Sequence, residues 1–244
     1  MLKPEDHNQH HHLAIQDRAI MTDLPRVAIV LVTYARTKYA VRTAESVCEN
    51  LIYPNVGWYV GDDGSPPEHM QAILDVLKKA EAPIFGTHSE DFVPGEHFPG
   101  KSWNKAWEFS HSWAPVTLWL EDDWELRKPL DIEPYVKLLM EKEEVGMMRL
   151  GHLAINLNMT SMGHAGIHYL KMWRNMQYGF SGNPALRHRR FADAYGPYNE
   201  SIGPGDTEIE FDHRWRTQDG PEIWWPVDLG GWGIFSHIGQ EQSY

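Results

Sequence analysis

Val116-Thr117-Leu118-Trp119-Leu120-Glu121-Asp122-Asp123-Trp124-Glu125 is an apolar run that ends in three consecutive carboxylates. A buried strand holds no such cluster in its interior, because each unpaired charge taken from water costs several kcal/mol. The acids therefore emerge where a strand leaves its sheet, which in an open α/β sheet is the ligand end. Acids this close repel one another unless a cation sits among them, and hard oxygen ligands suit Mg²⁺ or Mn²⁺. A solvated acidic loop is the competing reading of the triplet taken alone.

Working outward, the chain has 244 residues, 42% of them hydrophobic, enough for one large domain or one domain with an elaborated half. The formal net charge of -12 argues against a broad nucleic-acid or anionic-membrane footprint, though Arg187-His188-Arg189-Arg190 is a local basic patch able to hold phosphates. A lone Cys48 excludes an internal disulfide framework. No apolar run approaches the roughly 18 residues that span a bilayer, and the N-terminus lacks an apolar signal-peptide core, so the expected location is cytoplasmic. Eleven tryptophans, most from Trp103 onward, supply flat apolar faces for core or for a sugar platform.

Residues 1–25 read as a flexible His-rich leader (His7, His10, His11, His12). The β-branched run Val27 to Val32 predicts a strand buried on both faces, and Thr33-Tyr34-Ala35-Arg36 turns into a helix over 38–51. Trp58 to Gly61 predicts a second strand ending at Asp62-Asp63-Gly64-Ser65, followed by a helix carrying Met70 to Leu77 and a third strand over 82–86. A helix from Lys101 to about Trp113 precedes the acid-bearing strand. A helix near 132–143 and a strand near 145–150 follow it. This β-α-β-α-β order favours a parallel sheet with ligand groups at the strands' carboxyl ends. No glycine-rich dinucleotide fingerprint follows the first strand, and no Gly-Lys-Ser/Thr phosphate loop is present. Residues 151–168 are expected to form strands and loops over a cleft. Residues 26–150 and 151–244 are expected to be two halves of a single fused domain.

Taken in order, Val32-Thr33-Tyr34-Ala35-Arg36, the Asp62-Asp63-Gly64-Ser65 turn and Glu121-Asp122-Asp123 in the place of an Asp-x-Asp motif give the chain its resemblance. It resembles the GT-A fold glycosyltransferases, and within them glycosyltransferase family two. The resemblance implies an α/β, Rossmann-like, mostly parallel central sheet flanked by helices, with residues 26–150 binding a nucleotide-sugar and a smaller, irregular half, 151–244, handling the acceptor and catalysis. It implies that Asp123 is a metal ligand, that Asp122 lies near the donor ribose or sugar, and that Asp63 accepts a hydrogen bond from a uracil-type base in a pocket lined by Thr33 and Tyr34. Arg36 and Lys101 are candidates to assist the diphosphate, or else solvated residues at helix starts.

Further along, Gly203-Pro204-Gly205-Asp206-Thr207-Glu208 is similar to the family's Glu-Asp segment, with glycine where the first acid often stands. The resemblance aligns Asp206 with the general base of inverting members, and Glu208 is the alternative. A helix-capping Asp206 is the plain structural reading. Phe180-Ser181-Gly182-Asn183-Pro184 resembles the segment that abuts the donor sugar, with Asn183 expected to cap a helix begun by Pro184. His237, in Phe235-Ser236-His237-Ile238-Gly239, stands where many metal-dependent GT-A enzymes place a histidine on the metal or diphosphate. Ile223-Trp224-Trp225-Pro226 and Trp232 are expected to flank the acceptor or to fill core.

The function these expectations describe is transfer of a sugar, a hexosyl or related group, from a nucleotide donor, UDP-sugar above others, to an acceptor hydroxyl, with Mn²⁺ or Mg²⁺ and with inversion. Two other readings stay open: a nucleotidyltransferase acting on sugar phosphates, for which Thr33 to Arg36 is a poor phosphate loop, and a non-catalytic carbohydrate- or nucleotide-binding module. The charge argues against nucleic acid as acceptor without excluding it.

Overall fold

The computed structural model describes residues 23–91, 98–151, 159–227 and 233–239. The His-rich leader, part of the 151–168 stretch and Trp232 lie outside the described residues. The organising feature is β1 (Val27–Thr33), whose seven residues are all buried. Its side chains alternate between two cores: Val27, Ile29 and Leu31 join one, and Ala28, Val30 and Val32 the other. A strand apolar on both faces must be covered on both, so helices lie on either side of the sheet.

In chain order the remaining elements of the first half are α1 (Thr37–Asn50), β2 (Leu51–Ile52), β3 (Val56–Asp62), α2 (Pro67–Lys79), β4 (Ile84–Ser89), α3 (Gly100–Trp113) and β5 (Val116–Glu121). There follow β6 (Trp124–Leu126), β7 (Leu130–Asp131), α4 (Glu133–Glu141) and β8 (Val145–Arg149). The second half adds β9 (Met159–His164), β10 (Ile167–Met172), β11 (Ala185–His188), α5 (Arg189–Tyr195), α6 (Pro204–Thr217), β12 (Glu222–Pro226) and β13 (Phe235–His237). One nine-stranded sheet runs β4-β3-β1-β5-β11-β8-β12-β10-β9 and draws strands from both halves. Pairing is parallel from β4 to β5 and between β8 and β12; β11 enters antiparallel between β5 and β8, and β10 and β9 close the far edge antiparallel. The third strand starts at Ile84 rather than residue 82, because Pro83 has no N–H to give the ladder and its carbonyl accepts from Trp58 instead (2.7 Å).

Two expectations change, and a third is decided between its alternatives. Asn183 and Pro184 do not open a helix: the chain runs into β11, and α5 begins only after His188, whose side chain accepts from the Arg190 N–H at 3.1 Å. The basic patch is dismantled by the same strand. Arg187 is 1% exposed and lies over the rings of Trp119 and Phe180, while Arg190 donates to the carbonyls of Leu139, Lys142 and Val145. Of the two uses open to Trp224 and Trp225, acceptor contact or core, the structure selects core: they are buried at 2% and 1% exposure in the middle of β12. Most of the other tryptophans are buried too, with Trp173 an exposed exception.

Candidate active site

Register brings the chemistry to one edge. Thr33, Asp62 and Glu121 end three neighbouring parallel strands, with Thr33 paired to Asp62 and Val32 to Glu121. The turn after β5 then places Asp122 and Asp123, which α1 holds from behind. The Thr43 hydroxyl donates to the Asp122 carbonyl (2.8 Å) and accepts from the Trp124 N–H (3.2 Å), and Ser46 Oγ accepts from the Leu126 N–H (3.0 Å).

Asp122 is 1% exposed and fully engaged. Its Oδ2 accepts from the Thr33 hydroxyl (2.8 Å) and the Tyr34 N–H (3.1 Å), and its Oδ1 from the Arg36 guanidinium. Burial pushes its carboxyl up to about 6, against the pull of Arg36. Because the Thr33 hydroxyl has one proton and gives it to Asp122, His69 Nε2, 2.7 Å away, must be the donor to Thr33; His69 Nδ1 then accepts from Thr37 Oγ1 at 2.8 Å. Burial lowers the His69 pKa, which fits this neutral ring.

The loop after β3 is locked to the same centre. Asp62, 1% exposed, accepts from the Ser65 N–H (2.8 Å), the Ser65 hydroxyl and Ser89 Oγ (2.6 Å). Gly64 sits at φ +92°, open to glycine at little strain, and this lets the turn close. Ser65 Oγ also accepts from the Ala35 N–H at 2.8 Å, tying the two loops together across a left-handed Ala35 (φ 56°). Asp63 is half-buried and its N–H donates to the Thr33 carbonyl (3.0 Å). Lys101 is engaged one strand further on: its Nζ lies 2.5 Å from Glu90 Oε2, and the Glu90 N–H donates to the Asp62 carbonyl (2.9 Å).

Asp123 is 4% exposed, with Oδ2 shared between Arg36 Nη1 (2.6 Å) and His237 Nε2 (3.1 Å). The histidine arrives because β13 pairs antiparallel with β6, aligning His237 with Trp124, and the Ile238 N–H donates to the Asp123 carbonyl (2.8 Å). Asp123 Oδ1 is buried and has no hydrogen-bond partner among the described residues. A buried carboxylate oxygen without a donor is costly and is suited to a cation. Asp123 and His237 thus fit a divalent ion as an O,N pair. No group of three or more His, Cys, Asp or Glu side chains gathers as a metal site among the described residues, so an ion held by this pair would keep positions open for other ligands.

Behind Asp123 lies a second pair of acids. A Cβ placed on Gly182 would meet Glu121 Oε1 at 2.0 Å and Glu208 Oε1 at 2.6 Å, so both carboxyls converge on this glycine, whose N–H donates to Glu208. Burial, then repulsion from Glu208, Asp123 and Asp122, holds Glu121 well above the usual carboxylate range. Burial also raises Glu208, against the Gly182 N–H and the charges of Arg149 and Arg187. The charge of each carboxylate opposes ionisation of the other, in the same direction as burial. The sequence assigned Glu121 no role of its own. Its position last on β5 was the available signal, since a carboxyl there stands where the strand leaves the sheet, and the structure sets it against the Gly182 loop. Asp206 sits elsewhere on α6: it is exposed, in the first turn after an N-cap at Gly203.

The fold that carries this site is a GT-A-like glycosyltransferase fold. Among solved structures the chain is similar to TarS of S. aureus at TM-score 0.58 and 14% identity, over 82% of this chain and 36% of that one. It is also similar to TarS residues 1–349 in complex with UDP (TM-score 0.56, 12% identity, 82% and 60%). A third neighbour is the mannosyltransferase PcManGT from Pyrobaculum calidifontis in complex with GDP-Man and Mn²⁺ (TM-score 0.51, 14% identity, 77% and 51%). The chain thus spans between about a third and three-fifths of the length of these neighbours. No family model matches the sequence, and no curated protein does. Among the described residues no helix is long and apolar enough to cross a membrane.

Proposed function

We propose that this chain is a glycosyltransferase that moves a sugar from a nucleotide donor to an acceptor hydroxyl, assisted by a divalent cation. The observation that carries the reading is the buried, unpartnered Oδ1 of Asp123 at the carboxyl end of the central strands, with His237 and Arg36 on its other oxygen. Neighbours of the same fold that contain UDP, or GDP-Man and Mn²⁺, support it. UDP is the donor nucleotide we favour, with Asp63 and the Thr33–Tyr34 backbone as its base pocket.

Asp123 and His237 would hold Mn²⁺ or Mg²⁺, which when bound supplies charge neutralisation for a departing diphosphate. The chain's own groups do the rest. Asp122 fixes the loop after β1 and orients Arg36 toward Asp123, leaving the guanidinium beside the place where phosphate charge develops. Asp206, an exposed carboxylate, takes the acceptor proton; Glu208, held by the Gly182 N–H, positions the loop against which the sugar rests. A base on the face opposite the leaving group gives inversion.

The test is a panel of UDP-, GDP- and dTDP-sugars incubated with Mn²⁺ or with chelator, read as nucleoside diphosphate released. Release that needs the metal and is lost in Asp123→Asn supports the proposal. Pyrophosphate formed from UTP and sugar phosphate would instead favour the nucleotidyltransferase, and an anomerically retained product would defeat inversion.

A further inference from the structure

His69 is the third residue of α2, and the turn that closes at Gly64 delivers it. Its backbone N–H donates to the Pro66 carbonyl (2.9 Å), and its side chain, 1% exposed, lies between three elements. Nε2 is 2.7 Å from Thr33 Oγ1 at the end of β1, Nδ1 is 2.8 Å from Thr37 Oγ1 at the start of α1, and Asp62 Oδ1 at the end of β3 is 3.9 Å from Nε2. That last distance is too long for a hydrogen bond, so Asp62 acts on the ring through its charge alone. Burial outweighs that charge and lowers the pKa, leaving a neutral imidazole.

One tautomer fits. Both Asp122 oxygens face donors, Oδ2 the Tyr34 N–H and the Thr33 hydroxyl and Oδ1 the Arg36 guanidinium, so Asp122 can only accept. Thr33 spends its one proton there. A His69 ring protonated on Nδ1 would claim that same proton at Nε2, and the Thr33 lone pairs would then face a carboxylate oxygen at 2.8 Å. With the proton on Nε2 the chain of donors runs one way, from Thr37 to His69, from His69 to Thr33 and from Thr33 to Asp122. Arg36 Nη2 holds the other oxygen of the same carboxylate and Nη1 reaches Asp123 Oδ2 at 2.6 Å, so a turn of the Asp122 carboxyl moves the guanidinium with it. We propose that His69 is a positioning residue for the transfer site: by donating to Thr33 it fixes the Asp122 carboxyl and, through it, the Arg36 guanidinium beside Asp123. The inference rests on the transfer reading for what Arg36 does, and on geometry alone for how Arg36 is held.

The experiment compares wild type with His69→Gln, whose amide can donate from the place of Nε2, His69→Asn, which is too short to reach Thr33, and Thr33→Val, which keeps the shape and removes the hydroxyl. Long-range ¹H–¹⁵N spectra of the ring nitrogens, with His69 assigned by its loss in His69→Gln, should show the Nε2–H tautomer at neutral pH. The Arg36 Nε–H, whose nitrogen is buried, reports on the guanidinium directly. Its resonance, assigned by Arg36→Lys, should shift or broaden in His69→Asn and Thr33→Val and keep the wild-type position in His69→Gln. With nucleotide-sugar and Mn²⁺, kcat per folded enzyme should fall about tenfold in His69→Asn and Thr33→Val, with donor KM changed less, and His69→Gln should recover most of it. A residue that served folding alone would lower the melting temperature without that loss of kcat and without rescue by glutamine. An Nδ1–H tautomer, an Arg36 resonance indifferent to all three substitutions, or an unchanged kcat in an active enzyme overturns the proposal. The tautomer is read on wild type, so a variant that fails to fold does not suspend the test. Wild type that releases no nucleoside diphosphate from any nucleotide-sugar counts instead against the transfer reading, and the two resonances then decide how Arg36 is held.

Discussion

Asp206 and Glu208 stand two positions apart on α6 and face different tasks. Glu208 is tied to the Gly182 N–H in a half-buried setting against Glu121, whereas Asp206 projects into solvent from the helix's first turn. An acceptor must reach the base, and the exposed acid is the accessible one. Asp206→Asn should therefore lower turnover about 100-fold or more while leaving the melting temperature and donor affinity in place. Glu208→Gln is expected to act differently. It leaves the part-buried Gly182 N–H a neutral, weaker acceptor, a change worth about 1 kcal/mol, and should shift the melting temperature along with activity. Measuring both quantities on both variants separates the roles; an Asp206→Asn enzyme with full turnover would remove it from the chemistry.

At the scale of elements, the carboxyl end of β4 is tied to α3 through one carboxylate, Glu90. Burial alone would raise Glu90, but Lys101, Lys105 and His88 outweigh it and hold the carboxyl down to about 2. A lowered folded-state pKa means stability that is present above the ordinary value of 4.5 and is lost as pH falls toward about 2. Denaturation midpoints of wild type and Glu90→Gln, compared between pH 6 and pH 2, should differ at the upper end and converge at the lower. A gap that stayed constant with pH would mean Glu90 stabilises by packing alone. Lys101 also shows where the sequence stops being legible. Its position at a helix start after a strand suggested phosphate contact, yet a partner 11 residues upstream claims it, and no local pattern announces a long-range ion pair. The first half was readable because β1 and β5 are long apolar runs with both faces buried, and Gly64 marks its own turn. Ala185–His188 was not: Arg187 and His188 read as the start of a basic patch running to Arg190, and only the gap between β5 and β8 makes these four residues a strand. Likewise His237 reaches Asp123 through a three-residue pairing of β13 with β6 that periodicity cannot detect.

At the scale of the whole molecule, a chain of net charge -12 would work against its own field in binding the proposed diphosphate donor. Its acids are concentrated where the donor would sit, and Arg36 is already shared between Asp122 and Asp123. Donor binding should then require the cation, which turns a repulsive cluster into an attractive one. A ligand that binds only the folded state, present at about 100 times its dissociation constant, stabilises by about 2.7 kcal/mol. For a domain of this size each kcal/mol raises the melting temperature by about 2–4 °C, so UDP with Mn²⁺ should add about 5–10 °C. UDP with chelator should add little, and Asp123→Asn should lose the metal-dependent part while unfolding as cooperatively as wild type. Equal stabilisation by UDP with and without Mn²⁺ would show that the protein's own cations, Arg36 foremost, neutralise the diphosphate, and would relieve Asp123 of the metal.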